Sequence, residues 1–362
     1  MKERIVSVDI FRGLTIALMI LVNTPGTWDA VYPPLRHAVW HGYTPTDLVF
    51  PFFLFIVGTS IVFAYKNKQP GPAVYRKIVV RTLKLIGLGL FLGAFTISFP
   101  FMLPFEEIRF PGVLQRIGVV FFAASLLYLN FNWKVLLGIA ITILLGYWVW
   151  MGFIPLEGQA PTFERAANNW ANYIDLNVFG SHMYKTDYDP EGFLSTLPSI
   201  VSALLGVFTG LLLVSDRGNK TRTMVLMGVG MLLLGHLWDL VFPINKALWT
   251  SSFVLVTAGW ANLVLALIYY LSDVRSLRFG SIFRYAGANA ITVYFLSSFI
   301  TNIFYEKKNE AGVSIHEQLF NTIYVHEGIS LELSSLLYGL TVTSFYLLLG
   351  WWMYRKKIFI KV

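Results

Sequence analysis

Long apolar runs separated by short polar stretches dominate the chain. A helix rises about 1.5 Å per residue and needs about 20 predominantly apolar residues to cross roughly 30 Å of hydrocarbon. Ten stretches approach that length, near 10–24, 46–65, 78–97, 111–129, 134–153, 193–214, 223–242, 249–271, 282–304 and 333–354; the first is the shortest. Runs such as Leu83 to Phe95 do not alternate between apolar and polar residues, as the short strands of a membrane barrel would. The pattern predicts an all-α, polytopic membrane protein with about ten transmembrane helices. Neither an internal repeat nor a separate soluble unit breaks it, so residues 1–362 read as a single domain.

Composition sharpens this reading. Hydrophobic residues make up 56% of the 362 and charged residues 13%, about half the charged share of an ordinary soluble domain. Too few charges remain to coat a soluble surface, which excludes a soluble enzyme, a disordered chain and a nucleic-acid binder. The net charge of +8 reflects the tendency of Lys and Arg to collect on cytoplasmic loops. With both termini cytoplasmic, 20 of the 28 basic residues fall inside and 8 outside. The outer connections are then the long ones, 25–45, 98–110, 154–192 and 305–332, rich in Trp, Tyr, Asn, Asp, Glu and Pro. Such loops suit a sugar-like ligand, although an aromatic belt at the headgroups accounts for many of the same rings. The absence of cysteine removes disulfides, thiolate catalysis and cysteine-held zinc. No cleavable leader is expected from the first apolar stretch, which has no small-residue cleavage site.

Polar groups placed against hydrocarbon are costly, so each is a functional candidate. Asp9 and Arg12 are three apart and neighbours on a helix, either a structural ion pair or a basic mouth for an anion. Asn23 closes the first span. Asp47 opens the second, where it can cap free amides or orient an imidazole. His37 and His41 lie in the run between them. Either suits acid–base work, because histidine titrates nearest neutrality. Their i, i+4 spacing also fits zinc on a helix, but a loop punctuated by Gly and Pro need not be helical and no partnering His-Glu pattern accompanies it. No metal is expected. Gly87 and Gly89 read as close helix packing. Asn289 reads as a hydrogen bond between helices.

These residues carry a resemblance. Ser7-Val8-Asp9 with Phe11-Arg12-Gly13, Val22-Asn23, His37-Ala38 with Trp40 and Gly42, Asp47-Leu48-Val49-Phe50-Pro51, then Phe55-Ile56 and Gly58 occur in order. Arg109, Pro111-Gly112-Val113-Leu114-Gln115-Arg116, Tyr188-Asp189-Pro190-Glu191-Gly192, Asn245-Lys246 with Leu248-Trp249 and Ser251, Asn289, and Tyr354-Arg355-Lys356-Lys357-Ile358-Phe359 follow. Together they resemble the transmembrane domain of the heparan-α-glucosaminide N-acetyltransferase family and its bacterial NagX-type relatives. The match runs over nearly the whole chain. It departs at Thr24-Pro25-Gly26, where the family has a glycine run, and at Ser297-Ser298, where it has a His-Glu pair. Both departures bear on the acceptor more than on the fold or the donor.

The resemblance implies a transmembrane acyltransferase that moves the acetyl group of cytosolic acetyl-CoA to the amino group of glucosamine, or of a glucosamine-ended saccharide, on the periplasmic side. It maps the family's active histidine onto His37 and its supporting asparagine onto Asn23. It also implies a homodimer in a bacterial inner membrane. A CoA held from the inner side would set its phosphates against Arg4, Arg12, Lys357 and Lys361. His37 would serve as general base, with Asp47 fixing its tautomer; attack by His37 itself, through an acetyl-imidazole, is the variant. Asp189, Glu191, Asn245, Lys246 and Trp40 are the expected acceptor contacts, although Asp-Pro-Glu also opens helices readily. Arg109 and Arg116 are expected to pair with Glu106, Glu107 or Asp189, or to touch the donor. The rival function is a transporter of N-acetylglucosamine or a related amino sugar, a class in which duplicated halves are common.

Overall fold

The computed structural model describes residues 5–216 and 218–360; Arg4 and Lys361 lie outside the described residues. Thirteen described helices follow one another: α1 Val6–Asn23, α2 Pro45–Tyr65, α3 Pro72–Ala94, α4 Val113–Asn130, α5 Trp133–Phe153, α6 Trp170–Phe179, α7 Thr196–Val214, α8 Lys220–Asp239, α9 Ser251–Tyr269, α10 Ser281–Gly287, α11 Ala290–Glu306, α12 Ile315–Ile323 and α13 Leu331–Arg355. A π-helical turn, Tyr270–Val274, continues α9. No β-strand occurs among the described residues, only isolated bridges.

Eight described helices are long and apolar enough to cross a membrane, or nine if α10 and α11 form one broken span. Two of the ten expected stretches fall outside that count or at its edge, for two reasons. First, α3 carries Arg76, Lys77, Arg81 and Lys84, and four cations make a helix expensive to set in hydrocarbon. Second, the stretch near 282–304 bends by 83° between α10 and α11. Two short helices, α6 and α12, occupy connections that the hydropathy pattern left as loops.

Sequence dictates how the helices begin. Asn132, Asn169, Thr250 and Ser330 cap α5, α6, α9 and α13 through side-chain oxygens that accept backbone N–H groups. The cap of α1 comes from far along the chain: Asp273 accepts from Val6 N at 2.8 Å and Ser7 N at 2.9 Å. α2 is the central staff, with Leu54 and Val62 wholly buried. It meets α7 so closely that a side chain at Gly58 would strike the Ala203 carbonyl, and one at Gly206 the Phe55 carbonyl. Thr59 Oγ1 donates across that contact to the Gly206 carbonyl at 3.0 Å, a bond between helices that hydrocarbon cannot compete for. Outward, α5 and α8 expose leucines such as Leu145, Leu233 and Leu237, as lipid-facing surfaces do. The start of α1 and the end of α13 both pack against α10, through Gly13 on Phe283 and Gly350 on Ala286. Of the two expected close-packing glycines, Gly89 abuts Gln115 of α4 while Gly87 faces open space.

Candidate active site

One end of the bundle gathers the finish of α1, the start of α2 and the turn between α8 and α9. The loop to α2 is stiffened by a 3-10 turn at Pro33–Leu35, and Arg36 ties it back through Val31 O at 2.7 Å and Asp29 O at 3.3 Å. His37 follows directly. Its Nδ1 lies 2.7 Å from Asp47 Oδ1. Asp47 is buried to 1% while the imidazole remains 45% exposed. The second carboxylate oxygen, Oδ2, accepts from Ala38 N and Thr44 N, each at 3.0 Å, and from Thr44 Oγ1 at 3.2 Å. Thr44 and Asp47 thus form a capping box on α2. The two expected roles of Asp47 coexist: one oxygen caps the helix and the other holds the ring. A carboxylate on Nδ1 fixes the proton there and leaves Nε2 as the accepting nitrogen.

Lys246 completes the group. Its Nζ is 3.0 Å from His37 Nδ1, 3.4 Å from Nε2 and 3.5 Å from Asp47 Oδ1. Burial pushes its ammonium below the ordinary lysine range, against the pull of Asp47 and Glu191. The turn that presents it is tightly specified. Asn245 Oδ1 accepts from Leu248 N at 2.9 Å, Thr250 Oγ1 from Asn245 N at 3.0 Å, and Asp239 Oδ1 from Ile244 N at 2.6 Å. A backbone bond from Gly42 N to Ile244 O at 2.7 Å ties this turn to the histidine loop. Asn245 is therefore spent on holding the turn; its remaining contact is with His41, Nδ2 to Nδ1 at 3.4 Å.

The other expected residues separate. His41 turns from His37 toward Glu164, 3.1 Å away, and among the described residues no three His, Asp or Glu side chains converge as metal ligands. Trp40 donates to Phe163 O at 2.9 Å and sets its ring edge-on to Tyr188, 5.2 Å between centroids. Asp189 is wholly buried and saturated: Arg109 grips it with two bonds of 2.8 and 2.5 Å, and it also accepts from Tyr184 N and Glu191 N. Arg109 bonds Glu191 at 2.5 Å too. Burial opposes the charge on Arg109, but the two carboxylates outweigh it and raise the guanidinium above its ordinary range. Arg116, 2% exposed, pairs with no carboxylate among the described residues; it donates to Gly192 O at 3.0 Å and to Ser195 Oγ. Asn23 is exposed at the end of α1, and its side chain makes no hydrogen bond to His37 or to any other described residue.

At the opposite end of α2 lies a cavity of about 950 Å³, lined by Arg12, Arg76, Lys77, Arg81 and Lys84, by Ser60 and Asn289, and by apolar side chains from Phe53 to Leu85. Of the expected basic contacts, Arg12 is there, bonded to Ser60 Oγ at 2.6 Å and paired with Asp9 at 3.4 Å. Lys357 is exposed at the end of α13, off the cavity lining. Sequence reasoning counted the four α3 cations only toward topology. Lys77, Arg81 and Lys84 nevertheless fall at i, i+4 and i+7, one stripe of a helix, which was the signal available. Asn289 does not join two helices; it donates to Ile358 O at 2.9 Å and accepts from Ile360 N at 3.0 Å, pinning the chain after α13 beside the cavity.

Residues 4–238 match the family described as heparan-alpha-glucosaminide N-acetyltransferase, catalytic. The chain is 30% identical to human heparan-alpha-glucosaminide N-acetyltransferase, an alignment covering all of this chain and 60% of that protein. It is 29% identical to the mouse protein of the same name, over 99% of this chain and 61% of the relative. The chain thus spans about three fifths of the length of these curated relatives.

Proposed function

This chain belongs to the heparan-α-glucosaminide N-acetyltransferase family, and from that premise we propose that it carries the acetyl group of acetyl-CoA through the bundle to the amine of a glucosamine or glucosamine-ended saccharide. The observation that carries the reading is the placement of two unlike sites on one helix. A cation-lined cavity reaches from Tyr65 up to Phe53 of α2, and the His37–Asp47 pair stands at that helix's first turn. At about 1.5 Å per residue, the six steps from Phe53 to Asp47 span roughly 9 Å.

In this reading Arg12 and the α3 cations hold the CoA phosphates, which such side chains suit. Lys357 stands at the same end, after α13; Arg4 and Lys361, expected to join it, lie outside the described residues. The long pantetheine arm follows α2 past Ser60 and Phe53, and its thioester stops beside His37. Asp47 keeps the Nδ1 proton in place, and Nε2 removes a proton from the attacking amine, a role worth about 10²–10⁴-fold. Direct transfer is favoured over an acetyl-histidine, and a trapped acetyl-imidazole would reverse that choice. Asn23, at the same end as His37, donates to the thioester or the sugar. Trp40, Tyr188 and Glu191 line the acceptor side, while Asp189 and Asn245 build the walls behind it.

The basic end faces the cytoplasm by the positive-inside rule, with both termini there. The His37 end faces the periplasm of a bacterial inner membrane, and the protein pairs as a homodimer like its family. The test is product analysis with purified protein in lipid, acetyl-CoA and glucosamine. N-acetylglucosamine should form with wild type and fall to background in His37→Ala, while CoA binding persists. Sugar uptake that is indifferent to His37→Ala, with no acetylated product, would favour the transporter instead.

A further inference from the structure

Lys246 stands where a cation is least expected, against the ring of a base. With the Nδ1 proton committed to Asp47 Oδ1 at 2.7 Å, the acceptor left to an ammonium at this position is Asp47 Oδ1 at 3.5 Å. At 3.0 Å from Nδ1 and 3.4 Å from Nε2 it stands beside the ring and leaves the Nε2 lone pair clear. The position is not casual. Asn245, Thr250 and Asp239 lock the turn that carries it, Gly42 joins that turn to the histidine loop, and Trp249, next but two along, is held at φ +50°. A mount this rigid is what preorganised electrostatic stabilisation needs, since its donor must already be in place when charge develops.

We infer that Lys246 is the oxyanion-stabilising residue of the acetyl transfer: its ammonium, held beside the ring of the base, donates to the thioester oxygen as charge develops there. The step balances. The amine nitrogen attacks the carbonyl carbon, its proton passes to His37 Nε2, and the carbonyl electrons move to oxygen beside Lys246. The tetrahedral intermediate then collapses, the C–S bond breaks with its electron pair going to sulfur, and the imidazolium proton follows to give the CoA thiol and the N-acetyl product. A lysine beside the base opposes protonation of that base on its own, and stops opposing it once an oxyanion neutralises the lysine. Proton removal and carbonyl attack are thereby coupled. This differs from the expectation that Lys246 is an acceptor contact.

The inference rests on the acetyl-transfer reading, so the experiment follows two activities of the full chain in lipid: transfer to glucosamine and acceptor-independent hydrolysis of acetyl-CoA. Lys246→Met should lower kcat about 10²–10³-fold in transfer and slow hydrolysis in parallel. KM for acetyl-CoA and for glucosamine should change less than about threefold, and Lys246→Arg should restore part of the rate. A raised glucosamine KM at unchanged kcat, with hydrolysis untouched, would overturn the assignment in favour of acceptor binding. Wild-type hydrolysis without transfer would count against the glucosamine reading alone, and Lys246→Met would still decide the lysine. Wild-type protein that turns over acetyl-CoA in neither assay would sink both.

Discussion

Asp47 serves a helix with one oxygen and an imidazole with the other, and two substitutions separate these tasks. In Asp47→Asn the amide oxygen can keep the Ala38 and Thr44 bonds, but an NH2 then faces Nδ1 and favours the wrong tautomer. Transfer should fall by about 10²-fold or more with little change in melting temperature. Thr44→Ala removes the cap instead. It should cost about 0.5–2 kcal/mol of stability and much less rate, measured by thermal unfolding beside the assay. A second residue-scale prediction concerns Asp175, buried against Phe193 N at 2.8 Å. Burial raises its carboxyl from the ordinary value near 3.8 to about 7. A folded pKa above the unfolded one gives stability that is full below the unfolded value and lost as pH rises through about 7. Raising pH from 5 to 8 should therefore lower the melting temperature by roughly 5 °C, and Asp175→Asn should flatten that dependence. The pairing of His37 with Asp47 was legible because ten residues and a helix start join them. The lysine that completes the cluster was not, since 209 residues separate it from His37 and only the fold returns it there.

Among the elements, α3 gives the clearest lesson. Its length reads as a span, yet Arg76, Lys77, Arg81 and Lys84 occupy one half of it. Counting them toward topology hid the fact that three share a stripe, and only packing against α4 and α11 shows what the stripe faces. Arg81 also rests 4.6 Å above the Phe121 ring, which steadies a guanidinium inside the bundle. If this wall holds the donor's phosphates, Lys77→Ala and Arg81→Ala should each raise the KM for acetyl-CoA about tenfold, as expected for loss of one charge-assisted bond, and leave kcat within about twofold. The same variants should discriminate less between CoA and its 3′-dephospho form, measured by titration. Equal affinity of wild type and both variants for CoA would return α3 to a purely topological role. Helices α6 and α12 escaped the hydropathy reading because each is too short to span and is flanked by polar turns. The break between α10 and α11 escaped it because both arms are apolar, and nothing in a hydropathy average distinguishes a bend from a crossing.

For the whole molecule, the arrangement of charge decides what kind of machine it is. Cations line the cavity at one end of α2, and an imidazole with its carboxylate and lysine sits at the other, about 27 Å away along the helix at 1.5 Å per residue. A nucleotide donor carries several negative charges, and desolvating them across hydrocarbon is prohibitive. In the proposed transfer such a donor enters from the basic end and extends only its weakly polar arm toward the histidine, so that the acyl group is the only part that must reach the far side. A vesicle experiment follows from this asymmetry. In proteoliposomes sorted so that the basic end faces inward, acetyl-CoA sealed inside should acetylate glucosamine outside, and CoA should stay within. Acetyl-CoA added outside those vesicles should give less than about one tenth of that rate, because the cation-lined cavity opens at the other end. Equal rates from both sides would mean that donor and acceptor meet at one surface, and the separation of the two sites along α2 would then need another purpose.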